Sequence, residues 1–240
     1  MAHGARTTPP TPDEKHAVRE RVWTLLERER AARFPGARGR IPNFKGAEAA
    51  AERLAGTDAW RSARVVKANP DAPQLPVRRR ARRDGKLLYM AVPRLAEEKP
   101  FVLVRGDPTI KKAMAEGRPL AVEELEPVDL VVCGTVAVNR AGVRVGKGGG
   151  FSDLELALLV EAGLVTDATR IATTIHPLQL VDDELPETEH DFRVDLIVTP
   201  EETLETGAAK RRTGILWRDL DEEKIAAVPA LDSRRRRVVT

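Results

Sequence analysis

The stretch Gly142-Val143-Arg144-Val145-Gly146-Lys147-Gly148-Gly149-Gly150-Phe151-Ser152-Asp153 decides how the chain reads, because an apolar run precedes it and a helical pattern follows. Upstream, Val128-Asp129-Leu130-Val131-Val132-Cys133 has the composition of a strand covered on both faces. Downstream, Leu154, Leu156, Leu158, Leu159 and Val160 supply an apolar helix face, with Ser152 or Asp153 as the expected N-cap. The glycines between allow positive φ angles and leave backbone N–H groups bare, so an anion can approach the main chain. Arg144 and Lys147 add positive charge, and a helix N-terminus adds more. No Gly-Lys-Ser/Thr follows, so this is not the Walker pattern, and Gly146, Gly148 and Gly149 meet the dinucleotide fingerprint only loosely. A flexible turn shares the glycines alone; the company of Arg144, Lys147 and Asp153 favours a phosphate cradle.

Outward from the loop, strands are expected at Arg64–Ala68, Lys86–Val92, Phe101–Val104, Arg170–Ile175 and Asp195–Thr199, the last closing the core. Helices alternate with them: one from Asp13 with Val18, Val22, Leu25 and Leu26 on its apolar face, one over Ala47–Leu54 closing near Gly56, one opened by Asp107-Pro108, and Leu154–Ala162. This alternation predicts a single α/β domain over residues 13–206. Residues 1–12 read as a flexible tail, and residues 207–240 as an extension in which Gly214–Trp217 packs back and Ser233–Arg237 forms a basic tail.

The net charge of +3 over 240 residues does not by itself argue for nucleic acid. Arg78 to Arg83 puts five arginines in six positions, a run that could touch RNA, but no aromatic residue interleaves it and a solvated helix face is the expectation. Lys15 and Arg19, four apart on the first helix, read from spacing alone as a solvated pair. Asp182, Asp183, Glu184, Glu187, Glu189 and Asp191 form an acidic stretch, mostly a solvated loop, from which one or two could join Asp153 in holding Mg²⁺. Spacing does not choose among them. The lone Cys133 excludes an internal disulfide, and no histidine spacing suits zinc, which together imply a reducing cytoplasm. No apolar run approaches bilayer length, so no membrane partner is expected.

Several separated motifs, in order, resemble the 5-formyltetrahydrofolate cyclo-ligase family, and within it the branch of methenyltetrahydrofolate-synthetase-domain proteins. They are Lys15-x-x-x-Arg19, Ile41-Pro42-Asn43-Phe44-Lys45-Gly46, Val92-Pro93-Arg94-Leu95, the glycine loop through Asp153, Gln179-Leu180-Val181-Asp182, His190-Asp191-x-x-x-Asp195 and Thr199-Pro200. The resemblance implies a sandwich with a mostly parallel sheet, similar to ribose-5-phosphate isomerase and CoA transferases. It implies an enzyme that uses ATP and Mg²⁺ to convert 5-formyltetrahydrofolate to 5,10-methenyltetrahydrofolate; a monomer is the expected state. By position it gives Lys15 and Arg19 to the ATP phosphates, reversing their reading as a solvated pair. Arg144, Gly146, Lys147, Gly148, Gly149, Gly150 and Phe151 become the phosphate loop, with Lys15, Arg144 and Lys147 catalytic, and Asp153 and Asp191 bind magnesium. Two places depart from the family pattern. Ser152 and Leu154 stand where an aromatic and an arginine are usual, and Asn69-Pro70-Asp71-Ala72-Pro73-Gln74 replaces the Glu-containing folate segment. The alternative is therefore a non-catalytic nucleotide- or RNA-binding relative with an altered folate pocket.

Overall fold

The computed structural model describes residues 12–207 and 213–238; the expected tail before Pro12 and the basic run Lys210-Arg211-Arg212 lie outside them. In chain order come α1 (Pro12–Arg28), α2 (Ala47–Ala55), α3 (Asp58–Ser62), β1 (Val65–Ala68), α4 (Leu75–Arg83), β2 (Leu87–Ala91), β3 (Phe101–Leu103), α5 (Ile110–Glu116) and β4 (Arg118–Leu120). There follow β5 (Leu130–Cys133), β6 (Ala137–Asn139), β7 (Arg144–Val145), α6 (Phe151–Glu161), β8 (Arg170–Thr174), β9 (Leu180–Val181), β10 (Leu196–Val198), β11 (Thr203–Glu205), α7 (Glu222–Ala226) and α8 (Pro229–Val238).

The large sheet has the order β11-β10-β8-β5-β1-β2-β3-β4, parallel from β10 through β2, with antiparallel strands at both edges. The run Leu130–Cys133 is buried at every position because helices cover both faces of the sheet. Alternate residues serve opposite layers. Val131 and Cys133 face Leu156, Leu158 and Leu159 of α6, whereas Leu130 and Val132 join Leu54 of α2 and Val77 and Ala81 of α4. Acids just ahead of two strands help set the register: Asp129 accepts the N–H groups of Arg64 and Val65, and Asp195 accepts that of Ile171. Asp195 of the His190–Asp195 motif thus ties β10 to β8.

Several expectations need correction. The glycine loop does not connect the buried strand directly to the helix. A hairpin of β6 and β7 intervenes and forms, with β9, a second sheet in the order β7-β6-β9. Val22, Trp23 and Leu26 of α1 pack on that small sheet through Val136, Ala137, Val143 and Val145. Neither Ser152 nor Asp153 caps α6; Gly150 does, at φ 68°, and the two side chains stand in the first helical turn. Asp107-Pro108 precedes the helix rather than opening it, because Asp107 accepts the Thr109 N–H and Thr109 becomes the N-cap. The core does not close at β10, since β11 pairs with it.

The arginine run is only partly a solvated face. Arg78 is 1% exposed and donates to the carbonyls of Asn69, Asp71 and Pro108, while burial lowers its pKa to about 10. Arg80 and Arg83 pair with Glu52. The expected basic tail from Ser233 is also helical: it continues α8, whose Leu231 is buried and whose Arg234 reaches Glu123 and Glu161. The short segment around Ile215 packs back as expected, with Ile215 in the core on the α6 side. Among the described residues no helix is long and apolar enough to cross a membrane.

Candidate functional site

Strand order locates the site before any side chain is considered. From β1 the chain moves one way to β2, and from β5 it moves the other way to β8 and β10, so the crevice at the carboxyl ends of β1 and β5 is a topological switch point. Asn69 to Asp71 leave β1 there, and Gly134 leaves β5 there. The spot where a Cβ on Gly134 would sit lies 3.0 Å from Asp71 Oδ2. The hairpin of β6 and β7 carries the glycine loop over this crevice, and Lys147 Nζ lies 3.3 Å from Asp71 Oδ1.

Helix α1 brings the cations. Its apolar face docks on the small sheet, which directs the Lys15–Arg19 side to the loop. Arg19 Nε donates to the Gly146 carbonyl at 2.7 Å. Its guanidinium carbon lies 3.3 Å from where a Cβ on Gly148 would stand, and Gly148 has φ 105°. Burial lowers the Arg19 pKa, against the pull of Asp191. One turn earlier, Lys15 Nζ pairs with Asp191 at 2.5 Å. The same carboxylate accepts the Thr188 N–H at 2.6 Å and its hydroxyl at 2.7 Å. Burial pushes the Asp191 carboxyl up, but the bonds from Lys15 and Thr188 outweigh it and hold the pKa below the ordinary value.

Beneath the loop, Arg144 Nη2 pairs with Asp153 Oδ1 at 2.8 Å, and its guanidinium stacks 4.0 Å from the Phe192 ring centroid. Burial raises the Asp153 pKa despite Arg144, and the nearby Asp191 charge adds to the rise. The two aspartates therefore share one electrostatic neighbourhood, although 38 positions separate them in sequence. Each already holds a cationic side chain. Among the described residues no group of three or more His, Cys, Asp or Glu is arranged to hold a metal alone. Two hard-oxygen donors do suit Mg²⁺ that arrives with phosphate, because that ion takes one or two carboxylates plus phosphate oxygens and water.

Spacing alone did not single out a second cluster, at the end of β1. Lys67 and Glu155 form an ion pair with side chains 2% and 6% exposed. Lys67 Nζ also donates to Asn69 Oδ1 at 2.6 Å, and Asn69 Nδ2 donates to Ser152 Oγ at 3.1 Å. Burial raises the Glu155 pKa against the Lys67 charge. The signal was present as a lysine inside the apolar run Val65-Val66-Lys67-Ala68 and a glutamate inside the apolar face of α6. Gln74, fully buried, lies 3.5 Å from Thr174 through Nε2, and among the described residues its Oε1 has no partner. The segment Asn69–Gln74 thus puts amides and one carboxylate at the switch point, fastened from behind by Arg78.

Residues 12–200 match the model of the 5-formyltetrahydrofolate cyclo-ligase family. A methenyltetrahydrofolate synthase domain-containing protein of Mus musculus is 38% identical over 93% of this chain and 63% of its own length. Its Bos taurus counterpart is 37% identical over 92% of this chain and 62% of its own length. The chain thus spans under two thirds of the length of these curated relatives. The NMR structure of Aquifex aeolicus 5,10-methenyltetrahydrofolate synthetase superposes with a TM-score of 0.53 at 19% identity, covering 82% of this chain and 93% of that one, which shows a shared fold.

Proposed function

Because the chain belongs to the 5-formyltetrahydrofolate cyclo-ligase family, we propose that it is an ATP- and Mg²⁺-dependent cyclo-ligase that closes 5-formyltetrahydrofolate, or a closely related reduced folate, to 5,10-methenyltetrahydrofolate. The observation that carries this reading is the laying of Arg19 across the glycine loop at the switch point, with Lys15 and Lys147 close by. The formyl oxygen takes the terminal phosphoryl group of ATP, and ADP leaves. The N10 amine, outside the pteridine ring, then attacks the activated carbon on N5 and gives up its proton, and phosphate departs with the former formyl oxygen.

This chain's residues do the positioning and charge neutralisation on which phosphoryl transfer depends. Backbone N–H groups of Gly146–Gly150 orient the phosphates, and Lys15, Arg19 and Lys147 offset their charge. Arg144 acts from below. Fully buried, it fixes the Asp153 carboxylate and the base of the loop, a positioning role in place of the expected catalytic one. Asp153 and Asp191 would hold Mg²⁺, which when bound neutralises phosphate charge. Asp153→Asn and Asp191→Asn should therefore lose turnover, while Asp183→Asn, whose exposed carboxylate meets Arg21, should retain it.

A second reading, a nucleotide-binding relative without cyclo-ligase activity, draws on the replacement of the folate segment by Asn69–Gln74. ATP hydrolysis separates the two. Stimulation by 5-formyltetrahydrofolate supports the enzyme, and ATP binding with no folate-dependent turnover supports the binding protein.

A further inference from the structure

Residues 213–238 lie beyond the stretch that the family model matches, yet they bring one more cation to the glycine loop. Two anchors hold this segment to the body. Ile215 is buried, and its N–H donates to Glu161 of α6 at 3.2 Å. Ile225, Val228 and Leu231 are buried in the core on the α6 side. Asp221 caps α7 by accepting the Lys224 N–H at 2.6 Å. Lys224 directly precedes Ile225, so the docking of Ile225 fixes the backbone from which the lysine reaches out.

The Lys224 ammonium ends on the loop itself. Nζ donates to the Gly149 carbonyl at 3.0 Å and lies 3.7 Å from the ring centroid of Phe151, the first residue of α6. A carbonyl and a ring face orient an ammonium without cancelling its charge. Lys15 and Lys147, by contrast, each meet a carboxylate, Asp191 and Asp71. Among the described residues no carboxylate forms an ion pair with Lys224, and Asp221 gives an oxygen to the helix cap instead. Burial lowers the Lys224 pKa against the attraction of Asp221, so an arriving anion would stabilise its charged form.

We infer that Lys224 is a further residue of the phosphate site, which holds the Gly149 peptide in place and adds a positive charge for an oligophosphate on the loop. The inference rests on the reading of the glycine loop as a phosphate cradle, and it holds whether or not the chain closes a folate. Carbonyl oxygens repel phosphate, so a loop that presents its N–H groups must keep its carbonyls occupied. Arg19 occupies that of Gly146, and Lys224 occupies that of Gly149 three residues on. The first cation comes from α1 and the second from the C-terminal segment, so the segment completes the loop rather than merely trailing the domain.

Calorimetric titration of the full chain with inorganic tripolyphosphate, repeated from low to high salt, tests this in wild type, Lys224→Met and Lys224→Arg. Methionine keeps an apolar stem against Phe151 and removes the charge and the donors. Lys224→Met should bind roughly tenfold more weakly at low salt, the size of one charge-assisted hydrogen bond. The gap should narrow as salt rises, because screening weakens the part that charge carries, and Lys224→Arg should restore most of the affinity. Lost loop packing alone would neither respond to salt nor be rescued by arginine. Should Lys224→Met lower the melting temperature, Lys224→Gln, which keeps a donor for the Gly149 carbonyl, carries the same test of the charge. Wild-type affinity in the uncharged variant, a gap that salt leaves unchanged, or a Lys224→Arg chain as weak as Lys224→Met each overturns the assignment of Lys224 alone. If wild type binds no tripolyphosphate, the phosphate reading of the loop itself fails and takes this proposal with it.

Discussion

The two sides of the switch point are built differently. On the loop side, the polar groups are held by backbone and by partners at the surface: Arg19 by a carbonyl, Lys147 by a distant 3.3 Å contact, and glycines by their own φ angles. On the β1 side, the groups are locked into a dry network of Lys67, Glu155, Asn69 and Ser152. Half-exposed Lys147 at the glycine loop keeps its charge available for a ligand, whereas the buried Lys67–Glu155 pair spends its charge on itself. The loop side is thus arranged for binding, and the β1 side for rigidity.

The largest expected effect lies on the rigid side. Lys67→Met leaves the buried Glu155 without its partner, which costs about 3–5 kcal/mol. The double variant Lys67→Met with Glu155→Leu should regain most of that, because two apolar side chains replace a desolvated pair. Denaturant unfolding of the three proteins measures it. A single variant as stable as wild type would show that the pair is not the lock of this side.

Next comes Lys15→Met, which strips a charge-assisted hydrogen bond from Asp191 and should cost about 1.5–3 kcal/mol at neutral pH. The pH dependence has a defined sign. Asp191 is held below its ordinary value in the folded state, so its contribution is present above the unfolded pKa and is lost as pH falls through the folded one. The gap between wild type and Lys15→Met should therefore close in acid, as followed by unfolding curves across pH. A gap that stays constant down to the lowest pH would remove Asp191 from the account.

On the loop side, Gly148→Ala forces a side chain into φ 105° and against the Arg19 guanidinium, a strain of about 1–3 kcal/mol. The expected outcome is a melting temperature lowered by this strain with the sheet intact, and weaker ATP binding because the displaced Arg19 no longer lies across the loop, read by thermal unfolding and by titration. Unaltered affinity would break the contrast between the two sides. The smallest effect belongs to the surface of α8: Arg235→Ala removes an exposed pair with Glu222 and should leave the melting temperature unchanged within error.

The parallel core was legible because β1, β5, β8 and β10 are short apolar runs with nothing else to be, and the loop because glycine, arginine and lysine coincide in it. The small sheet was not. Its strands hold two or three residues each, too few to show a period, and Leu180–Val181 pairs with Val138–Asn139 across 42 positions. Arg78 was hidden among neighbours of its own kind, and only the packing of α4 against the segment after β1 selects it for burial. The C-terminal arginines misled because charge was weighed without Ala230 and Leu231 just before them, whose burial docks α8.

The most direct test of the proposed function is the absorbance of 5,10-methenyltetrahydrofolate formed from 5-formyltetrahydrofolate by the purified chain with ATP and Mg²⁺. The account predicts a signal that requires both ATP and Mg²⁺ and is lost in Asp153→Asn. No product from a folded chain that binds ATP would contradict it, and would leave a nucleotide-binding member of the family whose β1 side no longer accepts the folate.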